Sequence, residues 1–203
     1  DHLSRLAEIF SRDSQIDFAV GGAIFHLPNG IPESQVTGIF EDDSAKHIHF
    51  FPPSSFAHRK SVCDKIGMWR MPFEICAPVD GDFLLRAAAA DLRFASTGKI
   101  SVHKFAAGHR YLSYWKHSSD EQKNMLRGMN SQDHARRTER IVEESKQSGT
   151  FMVVRHIDYE QFAPGELARK SALLKGNRQK PMPLPKQGIK MYPEYESCRE
   201  TAE

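Results

Sequence analysis

Cysteine is scarce in this chain: Cys63, Cys76 and Cys198 are the three in 203 residues, odd in number and widely spaced. No two of them stand as CxxC, which argues against a zinc ribbon and a thioredoxin-type centre, and free thiols in a reducing compartment are expected. Long apolar runs are missing too. None approaches the roughly 20 residues needed to span a bilayer, and the N-terminus opens directly into an amphipathic pattern with no signal peptide. The expectation is a soluble, cytoplasmic protein without a transmembrane segment. Net charge is almost absent, since 28 basic and 26 acidic residues leave +2. Bulk electrostatics therefore does not point strongly to nucleic acid. Hydrophobic residues are lean at 39%, as expected where part of a chain lies outside a compact core. No internal repeat is visible.

What is present alternates between helical and strand patterns. Residues 2–12 read as a helix, because Leu3, Leu6, Ala7 and Phe10 recur at the spacing of one buried face and Asp1 can cap it. Ile16 to Leu27 reads as a strand interrupted by Gly21-Gly22, followed by a turn at Pro28-Asn29-Gly30. Val36 to Phe40 and His47 to Phe51 are shorter strand candidates around the acidic turn Glu41-Asp42-Asp43. Arg59 to Ile66 reads as a short helix closed by Gly67. Asp80 opens a further helix through Phe83, Leu84, Leu85 and the run Ala87 to Ala90. Arg93 to Ala95 and Lys99 to Phe105 read as strands separated by Thr97-Gly98.

Beyond Trp115 the character changes. A capping box, Ser118 with Glu121, precedes a polar helical stretch to about Gln147 that Gly128 and Asn130 divide in two. Such a stretch packs along a narrow stripe or stays exposed. From Phe162 the chain reads as loop-like. Residues 167–190 are basic, and Pro181, Pro183 and Pro185 favour polyproline II. This tail fits a loosely attached terminus, a wrapping arm or a partner-binding strap.

The segments FAHRKSVCDKIGMWRMP and PVDGDFLLRAAAADLRFASTGKISVHKF, from Phe56 onward, resemble the latter half of glycosyltransferase family 2 proteins with the GT-A fold. Arg59 to Gly67 matches a stretch that in this family precedes an acidic helix, and Val79 to Arg86 matches that helix. The opening DHLSRLAEIFSRDSQIDFAVGG is similar to the helix and strand that follow the family's metal-binding DxD turn. Val79 departs from the pattern, standing where the family usually has Glu. The resemblance implies an α/β fold: a partial GT-A mixed sheet with helices over residues 1–115. A polar helical appendage over 116–160 and an extended basic tail over 161–203 would follow. It also implies that the nucleotide-binding half lies before residue 1.

The same resemblance implies inverting transfer of a sugar from a nucleotide-sugar donor to a hydroxyl on a sugar or lipid-linked acceptor. The leaving diphosphate would be neutralised by Mn²⁺ or Mg²⁺ in the intact enzyme. Asp80 is then the candidate general base, and Asp82 a catalytic partner that orients substrate. The alternative for the pair is a helix cap and a first-turn charge. Asp80-Gly81-Asp82 is a DxD by its letters, but it opens a helix instead of following a strand. Glu41-Asp42-Asp43 is the weaker rival for that role. His103 and His109 are candidate metal or diphosphate ligands, Lys104 and Arg110 candidate diphosphate contacts. Trp69 and Trp115 are candidate acceptor platforms, with core packing as the alternative. Self-association through the appendage or the tail is a further expectation. Two other readings stay open. One is a non-catalytic interaction module. The other is nucleic-acid binding through Arg136, Arg137 and Arg140, although Glu139, Glu143 and Glu144 interleave them as on a solvated face.

Overall fold

The computed structural model describes residues 2–26, 36–41, 51–105, 119–151 and 161–174. The expectations for Asp42-Asp43, His109, Arg110, Trp115 and the proline-containing tail fall outside these residues, as does most of the strand read over 47–51. Phe51 itself is fully buried and lies just ahead of the short 3₁₀ turn Pro53–Ser55.

Helix α1 (His2–Arg12) leads into strand β1 (Phe18–His26), the centre of a mixed sheet. On one edge, β1 pairs antiparallel with β3 (Phe56–His58) along its first part and with β2 (Val36–Thr37) along its second. On the other edge it pairs parallel with β4 (Phe94–Phe105) over its whole length. Helices α2 (Ser61–Ile66) and α3 (Val79–Ala89) lie between β3 and β4 in the chain. Two polar helices follow, α4 (Asp120–Gly128) and α5 (Gln132–Gln147), then α6 (Glu166–Leu174). The chain is therefore mixed α/β.

Alternation along β1 sends side chains to opposite faces. Phe18 and Val20 join Phe51, Val62, Phe83, Leu84, Ala87, Leu92 and Phe94 in the core beneath α2 and α3. Phe18 is central: it stacks on Phe94 at 4.5 Å and meets the edge of Phe83 at 6.0 Å. Gly21 faces the other way, where an added Cβ would meet Ser101 Oγ at 2.6 Å and the His2 ring of α1 at 2.9 Å. The sheet is thus sandwiched between α1 and the α2–α3 pair. Arg59 ties α1 down, donating to the carbonyls of Phe10, Asp13 and Ile16 at 2.8–3.2 Å. It supplies donors to the helix end, whose last carbonyls have no partner of their own.

Several details differ from the sequence reading. β1 runs unbroken through Gly21-Gly22, and β4 is one strand, not two. The irregularity at Thr97-Gly98 is a bulge. Pairing passes from Val20↔Ser96 to Gly22↔Ile100 and then to Ala23↔Val102, so extra residues accumulate on β4. Strand β2 stops at Thr37 because Gly38 turns the chain at φ 79°. The N-cap before α3 is Pro78, with Asp80 second in the helix, and the N-cap of α4 is Ser119, not Ser118. The stretch read as a loop from Phe162 contains α6. Its first turn is stabilised by a bond from the Ala163 N–H to Glu166 and by the Glu166–Lys170 pair at i,i+4.

Candidate functional site

Two side-chain groups outside the apolar core bring chemistry together. The first is the acidic turn at the start of α3. Asp82 is largely buried and paired with Arg86 one turn on, Nε to Oδ2 at 2.9 Å, with Arg70 at 3.6 Å on its other oxygen. Arg86 reaches further, donating to the carbonyls of Ile66 and Gly67 and, at 3.1 Å, of Met68. Its guanidinium also lies over the Phe83 ring at 5.4 Å. One planar fork thus fastens the end of α2 and the Trp69 loop to the first turns of α3. Trp69 is partly buried and stacks on Phe83 at 4.5 Å. Asp80 stands two residues before Asp82, and its Oδ1 accepts the Gly81 N–H at 3.1 Å.

The second group lies where the parallel strands β1 and β4 end. In open α/β sheets, ligands gather outside the carboxyl ends of the strands. His26, the last residue of β1, meets His103 of β4 through Nε2 and Nδ1 at 2.9 Å. Phe105 stacks on His26 at 4.6 Å. From α5, His134 packs edge-on against His103 with ring centroids 5.1 Å apart. Burial, then the neighbouring His26, His134 and Arg137, push His103 down to about 4. Each of these effects disfavours adding a positive charge.

The sequence candidates therefore part company. Asp80, Asp82 and Trp69 share one unit built on α2, α3 and the loop between them. His103 belongs to an imidazole cluster on β1, β4 and α5. Lys104 follows His103 on β4, and since His103 and Phe105 both meet His26, alternation turns Lys104 to the opposite face. His26 and His134 were not singled out from the sequence, and Arg137 was named there only as a nucleic-acid contact. Only the register of β1 against β4 and the docking of α5 bring them together.

Among the described residues no group of three or more His, Cys, Asp or Glu side chains is placed to hold a metal ion. His103 directs Nδ1 at another imidazole, and Asp82 is engaged by two arginines. These residues do not fit the divalent ion that the resemblance implies, and His103 is not assigned as its ligand. No described helix is long and apolar enough to cross a membrane. Comparisons with protein-family models, with curated proteins and with solved structures find no match to this chain.

Proposed function

We propose that this chain is the acceptor side of an inverting, nucleotide-sugar-dependent glycosyltransferase, with Asp80 as the general base. The observation that supports this reading is the Arg86 clamp. The two segments that carry the resemblance, Arg59 to Gly67 and Val79 to Arg86, are joined through Asp82, Arg86 and the carbonyls of Ile66 and Gly67. The clamp also divides the labour of the two carboxylates. Asp82 holds the unit together, and Asp80, the carboxylate that the resemblance aligns with the base, is the candidate for chemistry.

In this reading the acceptor hydroxyl gives its proton to an Asp80 oxygen as it attacks the anomeric carbon, and the nucleoside diphosphate leaves from the opposite face. The Gly81 N–H bond holds one Asp80 oxygen at the head of α3. Trp69 offers part of its ring as a surface for the acceptor sugar. The divalent ion belongs with the donor half in this reading, and no residue described here is given to it.

The test is nucleoside diphosphate release from UDP- and GDP-hexoses by the full-length protein, in three forms. Asp80→Asn is expected to lower turnover by about 10²–10⁴ at an unchanged melting temperature. Asp82→Asn is expected to lower the melting temperature first, because it removes the charge that holds Arg86. Retention of more than about a tenth of turnover by Asp80→Asn, well short of that range, returns Asp80 to a helix-end role. Release from no hexose at all favours the interaction module.

A further inference from the structure

We propose that His26, His103 and His134 form a proton-operated latch, which holds the N-terminal half of α5 over the carboxyl ends of β1 and β4 and lets it go in acid. The proposal stands on geometry and does not depend on the glycosyltransferase reading.

The facing nitrogens of His26 and His103 are 2.9 Å apart, a separation that accommodates one hydrogen between them. A neutral pair meets this condition, with one ring donating and the other accepting. Once both rings are protonated, both facing nitrogens carry hydrogens and the contact must open. The charges that bear on His103 come from His26 on β1 and from His134 and Arg137 on α5. All are basic groups, so each proton added to the cluster repels the others. Phe105, stacked on His26, covers one face of its ring.

Helix α5 is attached at its two ends by different means. Its C-terminal end is held by Ser145, fully buried and bonded to Thr150 at 2.9 Å, and by the bridge of Phe151 to Val36 on β2. Neither of these two contacts involves an imidazole. Its N-terminal half meets the sheet through His134, whose Nε2 also faces Thr138 Oγ1 at 3.5 Å. Helix α4, which precedes it, contributes no buried residue. Protonation therefore acts on one end only. It frees the first turns of α5 and uncovers the strand ends while the core stays folded.

The direction follows from linkage. His103 is held below its ordinary value, so the open state binds more protons than the closed one. The latch is closed above about pH 6.5, the ordinary histidine value, and opens as the pH falls toward 4.

Hydrogen exchange read by mass spectrometry on the whole chain tests this, with rates corrected for the intrinsic pH dependence. Protection of residues 132–141 is expected to fall at least about tenfold between pH 7.5 and pH 5, the change that one proton of linkage gives per pH unit. Residues 18–25 and 83–94 keep their protection. His103→Gln retains a hydrogen-bonding side chain but takes up no proton, and should remove the step. Protection of 132–141 that stays flat in the native chain overturns the latch, and so does a full step in His103→Gln. Should that variant fail to fold, His134→Gln replaces it: a reduced step supports the latch and an undiminished one overturns it.

Discussion

A guanidinium carries five N–H donors in a rigid fork. Arg86 directs its fork to Asp82 and to the carbonyls of Ile66, Gly67 and Met68. Arg86→Gln leaves Asp82, 13% exposed, to the 3.6 Å ion pair with Arg70. Breaking a largely buried pair in this way costs about 3 kcal/mol. Urea unfolding should therefore show a lower midpoint with an unchanged slope. Arg86→Lys restores the charge without the fork and should recover only part of the loss. Arg59 and Lys65 belong to the same resemblance and do comparable structural work. Arg59 binds carbonyls at the end of α1, and Lys65 pairs with the buried Asp17 at 2.8 Å. Much of what made the stretch recognisable thus holds the fold together, and Trp69 shares in this by stacking on Phe83.

At the scale of elements, the sheet depends on two close approaches of backbone to backbone. An added Cβ on Gly22 would meet the Lys99 carbonyl at 2.8 Å, in the bulged part of β4. One on Gly38 would meet the Gly21 carbonyl at 2.5 Å, at a φ of +79° that L side chains rarely adopt. Gly38→Ala combines that backbone strain with the clash and is expected to cost about 2–3 kcal/mol. It should show as a drop in thermal midpoint with β2 protection lost first in hydrogen exchange. Gly98, also at positive φ, has nothing within 4 Å of an added Cβ. Gly98→Ala should therefore cost less than Gly38→Ala, since it carries the strain without the collision. The pattern of Gly and β-branched residues was legible as strand and interruption. It did not distinguish a break from a bulge, because that depends on the partner strand.

Over the whole molecule, α5 joins two parts of the sheet, the His103 region of β4 at one end and β2 at the other. Its 16 residues span about 24 Å at 1.5 Å per residue. A pH effect on its attachment should also register in global stability. His103 is kept neutral in the folded chain, whereas the unfolded chain binds a proton at the ordinary histidine value. This contribution is greatest above about pH 6.5 and is lost as the pH falls toward 4. Melting temperatures between pH 7 and pH 5 should decline, and more shallowly in His103→Gln. Equal slopes in the two proteins would mean that other groups govern the acid limb.

Local pattern determined the elements. The 3.6-residue spacing of Leu3, Leu6, Ala7 and Phe10 marked α1 but not its buried face, since Leu3 is 74% exposed and Leu6 is the residue buried there, and Gly67 closed α2 because its positive φ suits glycine. The division of the polar stretch at Gly128 and Asn130 separated α4 from α5. The same local logic missed α6, whose first turn depends on a side chain reaching back to Ala163 and whose base is tied by the Gly165 N–H to the Ile75 carbonyl at 3.0 Å. The acidic turn was legible because Asp80, Asp82 and Arg86 are neighbours on one helix. The imidazole cluster was not. His26, His103 and His134 lie far apart in the chain, and only the parallel register of β1 with β4 and the docking of α5 bring their rings within 5.2 Å of one another in sequence, His26 to His103 to His134. Periodicity reports what a residue does within its own element. Which residues meet across elements was decided by the tertiary structure.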